Sequence, residues 1–125
     1  MSTDERPPAR RAALGAYGER IAVRALTDSG LHVLDRNWRC RDGELDVVAR
    51  DGDALVFCEV KTRSGTGYGT PAEAVTPAKR RRLRHLARAW LDAHDHHAPD
   101  LRFDVVGVEV PAAGPARVTH LRNAF

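Results

Sequence analysis

The sequence predicts an α/β fold, a mixed β-sheet flanked by helices, in the order α-β-β-β-α-β-β. Three observations predict it. Two segments with helical spacing of apolar residues are separated by a run of strand patterns. Two of those strands are joined by the tight turn Asp51-Gly52-Asp53. Residues 102–110 are apolar on both faces, as a central strand must be.

The first helix is expected over about 12–28. Leu14, Gly18, Ile21, Ala22 and Ala25 keep helical spacing, and Ser29-Gly30 supplies the stop. Glu19 shares its turn spacing with Ala22, Val23 and Leu26, at the edge of the buried side. Gly15 and Gly18 allow another backbone to come close. A strand at 31–38 is followed by a polar turn at 39–43. Two strands, 44–50 and 54–62, then form a hairpin. The stretch 64–71 contains Gly65, Gly67 and Gly69 and reads as a loop; it lacks the Gly-Lys-Ser/Thr of a P-loop. Thr76 and Pro77 are an N-cap and a first helical residue, opening a second helix that ends near His94. A linker at 96–100, a strand at 102–110, a break at 111–115 and a short strand at 117–121 complete the chain. Residues 1–13 are expected to be a disordered tail and 14–125 a single domain.

With 42% apolar and 30% charged residues, the 125-residue chain can bury one core under an ionic surface. No apolar run approaches the roughly 20 residues needed to span a bilayer. The polar start, with Pro7 and Pro8, is not a secretory signal. A cytoplasmic location, away from membranes, is the expectation. Cys40 and Cys58 form no CxxC pair and read as reduced thiols, Cys58 in the core. His94, His96 and His97 read as a solvated helix end rather than a metal site. The net charge of +3 hints at a polyanionic partner. Its distribution says more: 18 of the 20 basic residues are arginine, and the lysines are Lys61 and Lys79. Lysine is a compact point charge that can approach a metal-bound water, which the arginine fork does not easily replace.

The hairpin carries the chemistry. If its loop is Gly52-Asp53, a II′-type turn, Asp51 pairs with Ala54, and counting back puts Asp46 opposite Glu59. If the loop is Asp51-Gly52, Glu59 is the diagonal neighbour of Asp46. Either register places Asp46, Glu59 and Lys61 on one face, because side chains alternate with period two. Two facing carboxylates repel; a Mg2+ or Mn2+ ion between them removes that cost, and Lys61 can hold a metal-bound water or a scissile phosphate. The competing reading is an ion-paired solvated face in which Lys61 neutralises Glu59. Glu44 shares the parity of Asp46 but reads as a secondary or turn residue. On the second helix, Leu83, Leu86, Ala87, Trp90 and Leu91 form the apolar stripe, and Lys79 lies one turn before Leu83. Arg81, Arg84, His85 and Arg88 form a basic stripe; with Lys79 at the helix start and Arg36, Arg39, Arg41 and Arg63 around the hairpin they are candidates for phosphate contacts. Trp38 and Trp90 read as core residues.

Asp46, then twelve residues, then Glu59-Val60-Lys61 resembles the PD-(D/E)xK nuclease motif. Gly18-Glu19, Asn37-Trp38-Arg39, Gly43-Glu44-Leu45-Asp46, residues 57–63 and Arg102-Phe103-Asp104 together resemble the YraN family of uncharacterised bacterial proteins. That resemblance implies a restriction-endonuclease-like fold, similar to archaeal Holliday junction resolvases. It implies a metal held by Asp46 and Glu59 with the Val60 carbonyl, a nucleophilic water positioned by Lys61, and Glu19 approaching from the first helix. The expected function is Mg2+-dependent cleavage of DNA, branched or structured, with a homodimer as the assembly the resolvases suggest. The alternative is a non-catalytic nucleic-acid-binding module or adaptor in DNA processing.

Overall fold

The computed structural model describes residues 8–65, 75–97 and 100–125. Residues 1–7 of the expected tail, most of the expected glycine-rich loop with Tyr68, and Ala98-Pro99 of the linker lie outside the described residues. The elements are α1 (Pro8–Asp28), β1 (His32–Cys40), β2 (Gly43–Asp51), β3 (Ala54–Ser64), α2 (Pro77–Ala93), β4 (Asp100–Val110) and β5 (Arg117–Leu121). Their order is the α-β-β-β-α-β-β order of the sequence reading.

The elements run longer than their patterns indicate. α1 begins at Pro8, so residues 8–13, expected in a tail, are helical. Proline is tolerated in a first turn, and Ala9-Arg10-Arg11-Ala12-Ala13 are all strong helix formers. β1 extends to Cys40 and β4 starts at Asp100, because ladder pairing holds polar residues that a hydropathy pattern assigns to turns.

The five strands lie in sequence order, β1-β2-β3-β4-β5. All neighbours are antiparallel except β3 and β4, which run parallel with α2 as the crossover. One face packs against α1: Ala22, Leu26, Val47, Ala49, Val56, Cys58, Val60, Val106 and Val108 are buried together. The other packs against α2: Leu45, Val48, Leu55, Phe57 and Val105 meet Leu83, Leu86, Ala87 and Trp90. Cys58 is a buried free thiol, and burial pushes its pKa up, so it stays protonated.

Two local devices set how the helices sit. Gly18 of α1 lies against Thr62 of β3, where any Cβ would run into the threonine side chain. Gly18→Ala is therefore expected to lower stability by about 1–3 kcal/mol from overpacking, although alanine is the better helix former by about 1 kcal/mol. A urea midpoint equal to or above that of the parent would show that α1 can move off Thr62. At the other end, Trp90 of α2 donates its Nε1–H to Asp35 Oδ2 of β1 at 2.9 Å. His94 stacks on Trp90 with centroids 4.2 Å apart, and its Nε2 is 3.6 Å from Asp35. His94 thus anchors the end of α2 to the sheet rather than standing in solvent alone. Thr76 caps the start, accepting from Lys79 N–H.

Candidate functional site

The site arises where the sheet forks. The hairpin loop is Gly52-Asp53: Asp51 pairs with Ala54, and Gly52 has φ 59°. That is the first of the two registers, and it puts Asp46 level with Glu59. The β2–β3 ladder, however, runs only as far as Val47↔Cys58, whereas β3 stays paired to β4 as far as Ser64↔Val110. β2 meanwhile stays with β1 to Gly43↔Cys40. Beyond Val47, then, β2 leaves β3. The Val60 N–H that loses its backbone partner donates instead to Asp46 Oδ2 at 2.9 Å.

This fork changes the basis of the face argument. Leu45 and Val48, three residues apart, both pack on the α2 side, while Val47 packs on the α1 side. Strict alternation therefore fails at Asp46. Opposite it on β1, Asn37 takes φ 52°, in the left-handed region that asparagine tolerates. Asp46 reaches its neighbours by crossing the gap between strands. Glu59 and Lys61 follow Phe57 towards α2, as alternation requires of the regular β3.

Acidic groups converge on Asp46 from two elements. Ligand oxygens of Glu19, Glu44 and Asp46 all lie within 4.8 Å of one another. Among the described residues this is the only such group of three or more metal-ligating side chains, and it contains no histidine. Glu44, read from sequence as secondary, belongs to it, and Arg39 donates to Glu44 Oε2 at 3.1 Å. The parity shared by Glu44 and Asp46 was the available signal.

Glu59, expected from sequence to share the ion with Asp46, is not one of that group; it stands beside it on the α2 side. It lines a cavity of about 230 Å3 together with Glu44 and Asp46; Lys79 and Arg82 of α2 stand across it, above Leu83 and Leu86. Lys61 is close to both Glu59 and Lys79. Arg82 was not singled out in the sequence. It falls on the Lys79-Leu83-Leu86 side of α2, and its stem passes over Gly43 at 3.7 Å from where a Cβ would stand. Arg81, Arg84 and Arg88 are exposed and do not line the cavity. Arg84 instead lies over the Phe103 ring, 5.7 Å from its centroid.

The electrostatics follow from this crowding. Burial first, then the charge of Glu59 and more weakly those of Glu19 and Glu44, push the Asp46 carboxyl up to about 7, against the lowering effect of the Val60 N–H. Glu59 is also raised, mainly by burial, with Lys61, Lys79 and Arg82 opposing. Lys61 is lowered, by burial first and then by Lys79. In the metal-free chain a folded Asp46 holds a proton that the unfolded chain has already released between pH 3.8 and about 7. Its contribution to stability should therefore fall as pH rises through that window. Thermal melts without divalent ions should show a lower midpoint at pH 8 than at pH 5. Adding Mn2+ at pH 8 should recover it; an Asp46→Asn variant should lose most of this pH dependence. A parent midpoint that is flat across the window would contradict the crowding.

With this geometry in place, comparison with known proteins becomes specific. The model of the uncharacterised protein family UPF0102, the family of the YraN proteins, matches residues 18–108. The chain belongs to this family. UPF0102 proteins of Kineococcus radiotolerans and Beutenbergia cavernae are each 62% identical to it, over 87% and 89% of the chain and 90% and 94% of their own lengths. One from Rhodococcus opacus is 52% identical over 94% of the chain and 99% of its own length. The match to UPF0102 spans Glu19, Glu44, Asp46, Glu59, Lys61, Lys79 and Arg82. No helix among the described residues is long and apolar enough to cross a membrane.

Proposed function

We propose that this UPF0102 chain is a metal-dependent endonuclease that hydrolyses phosphodiester bonds of DNA, with branched or otherwise structured DNA as its substrate. The observation that carries the proposal is the Asp46 carboxylate, fixed by the Val60 N–H in the strand fork, with Glu19 and Glu44 beside it and Glu59 and Lys61 next to it on β3. Carboxylates gathered this closely repel one another, and a bound cation inverts that cost. The donors are all oxygens, which suits a hard ion such as Mg2+ or Mn2+. Asp46 would hold it with Glu19, Glu44 and Glu59, and the Val60 carbonyl is a further oxygen at the position the PD-(D/E)xK motif uses.

When bound, such an ion polarises the phosphoryl group and lowers the pKa of water. The chain's own residues do the rest. Lys61 positions the attacking water, and burial and then Lys79 lower its pKa. Val60 N–H keeps Asp46 from rotating away. Arg39, Arg63, Arg81, Arg84 and Arg88 are surface contacts for more distant phosphates, contributing salt-dependent affinity without sequence preference.

Cleavage of junction, flap, single-stranded and duplex DNA, each with Mg2+, with Mn2+ and with a chelator, tests the proposal. Metal-dependent cleavage of at least one substrate is expected. Failure on all of them, with no thermal shift on adding metal, would leave the non-catalytic binding module as the reading.

A further inference from the structure

The cavity at the fork has walls of opposite charge. Glu44, Asp46 and Glu59 form one; Lys79 and Arg82 of α2 form the other. A cation accounts for the acidic wall alone. The basic wall makes no close ion pair with it: their charges act on Glu59, but among the described residues no carboxylate lies within ion-pair distance of Lys61, Lys79 or Arg82. Lys61 and Lys79 instead lie against each other, an arrangement of like charges that an anion between them would relieve. Thr76 fixes the backbone of Lys79, and the Arg82 stem passes beside Gly43 at the β1–β2 turn.

We infer that Lys79 and Arg82 form a phosphate clamp, binding the non-bridging oxygens of the DNA phosphodiester that the acidic wall processes, so that the DNA backbone enters between the start of α2 and the β1–β2 turn. The inference rests on the nuclease reading for its substrate; it adds Arg82 and gives Lys79, a candidate nucleic-acid contact from sequence, a defined place at the phosphate being cut. Arginine supplies a planar fork that matches two phosphate oxygens, and lysine a mobile point charge. The outer stripe of Arg81, Arg84 and Arg88 has a different task, since it does not line the cavity.

Ca2+ replaces Mg2+ in the experiment, so that binding is read without cleavage. Anisotropy of a labelled DNA junction is followed with the parent, Lys79→Ala, Arg82→Ala, the double variant and Arg81→Ala, each with Ca2+ and with chelator. A clamp shares its phosphate with the metal, so the clamp variants should weaken binding by about ten-fold or more with Ca2+ and much less in chelator. Arg81→Ala should weaken both conditions equally. Arg82→Lys should recover part of the loss. Calorimetry with Mn2+ alone separates the clamp from a structural role. Removing a positive charge beside the carboxylates should tighten Mn2+ binding, whereas a collapsed site would weaken it. A double variant that binds the junction like the parent with Ca2+, or losses equal with and without the ion, would overturn the clamp. A parent that binds in this pattern yet cuts nothing would sink the nuclease reading and leave the clamp standing.

Discussion

Replacing Asp46 by asparagine should leave the fold standing and abolish metal-dependent cleavage. The amide oxygen of asparagine can still accept the Val60 N–H that Asp46 takes at 2.9 Å, so the strand fork keeps its cross-link. What is lost is one negative charge at the centre of Glu19, Glu44 and Glu59, and with it the pull on a divalent ion. The same substitution should raise the melting midpoint of the metal-free protein at pH 8, because the buried carboxyl pushed up to about 7 is charged there at a cost. A variant that gains stability as it loses activity is the signature of a residue kept for function. Lys61→Ala should cost about a hundred- to ten-thousand-fold in single-turnover rate, the range for a positioned proton-handling group, while Mn2+ affinity is kept or tightened. Circular dichroism and calorimetry accompany the cleavage assay. Either variant cutting as fast as the parent would trace the activity to a contaminant and remove the proposal.

How much of this was legible in the sequence depended on whether local rules held. The hairpin was, because glycine at position 52 suits a turn position with positive φ and the strands on either side alternate regularly as far as Val47 and Cys58. Counting from that turn placed Asp46 level with Glu59. The fork beyond was not legible. Alternation presumes a continuous ladder, and nothing in residues 43–48 announces that a side chain will take over a backbone hydrogen bond. Glu44 was undervalued for the same reason: on a regular strand it is one more residue near a turn, but at a fork it closes on Asp46 and Glu19. On α2 the apolar stripe was plain, yet the basic residues were grouped by their own spacing, which favoured Arg81, Arg84 and Arg88. The residue facing the cavity was decided by where α2 docks, and that depends on Trp90 and His94 meeting Asp35, fifty-five or more residues away in sequence. Long-range pairings of that kind leave no local pattern.

Asp104→Ala should destabilise the protein by about 3–5 kcal/mol, the cost of taking the acceptor from Arg102, His120 and the Asn123 N–H at a site closed to water. Asp104 is the one buried charged residue among those described, with its side chain wholly out of solvent. Four contacts from three residues satisfy it. Arg102 donates from Nε to Oδ1 at 2.9 Å and from its terminal nitrogen to Oδ2 at 3.0 Å. His120 Nε2 lies 2.7 Å from Oδ2, and the Asn123 N–H donates to Oδ1 at 2.9 Å. Burial alone would raise this carboxyl; the Arg102 guanidinium, the Asn123 N–H and His120 outweigh it and hold the group below its usual range. Arg102 also bonds Asp51 at the end of β2, so one carboxylate ties β4 to β5, the last turn and, through arginine, the hairpin. The sign of the pH effect is opposite to that of Asp46. A depressed carboxyl stabilises the fold fully above the unfolded pKa and loses that contribution as pH falls through the folded one. Asp104→Ala should therefore lose stability at pH 7 and show a shallower further loss on acidification below pH 3.8 than the parent does. Asp51→Asn is the control. Its side chain is 36% exposed, and its pair with Arg102 should be worth no more than about 1 kcal/mol. Urea midpoints at pH 7 decide between them: equal losses in the two variants would mean that the network shares its load evenly and that Asp104 is not its centre.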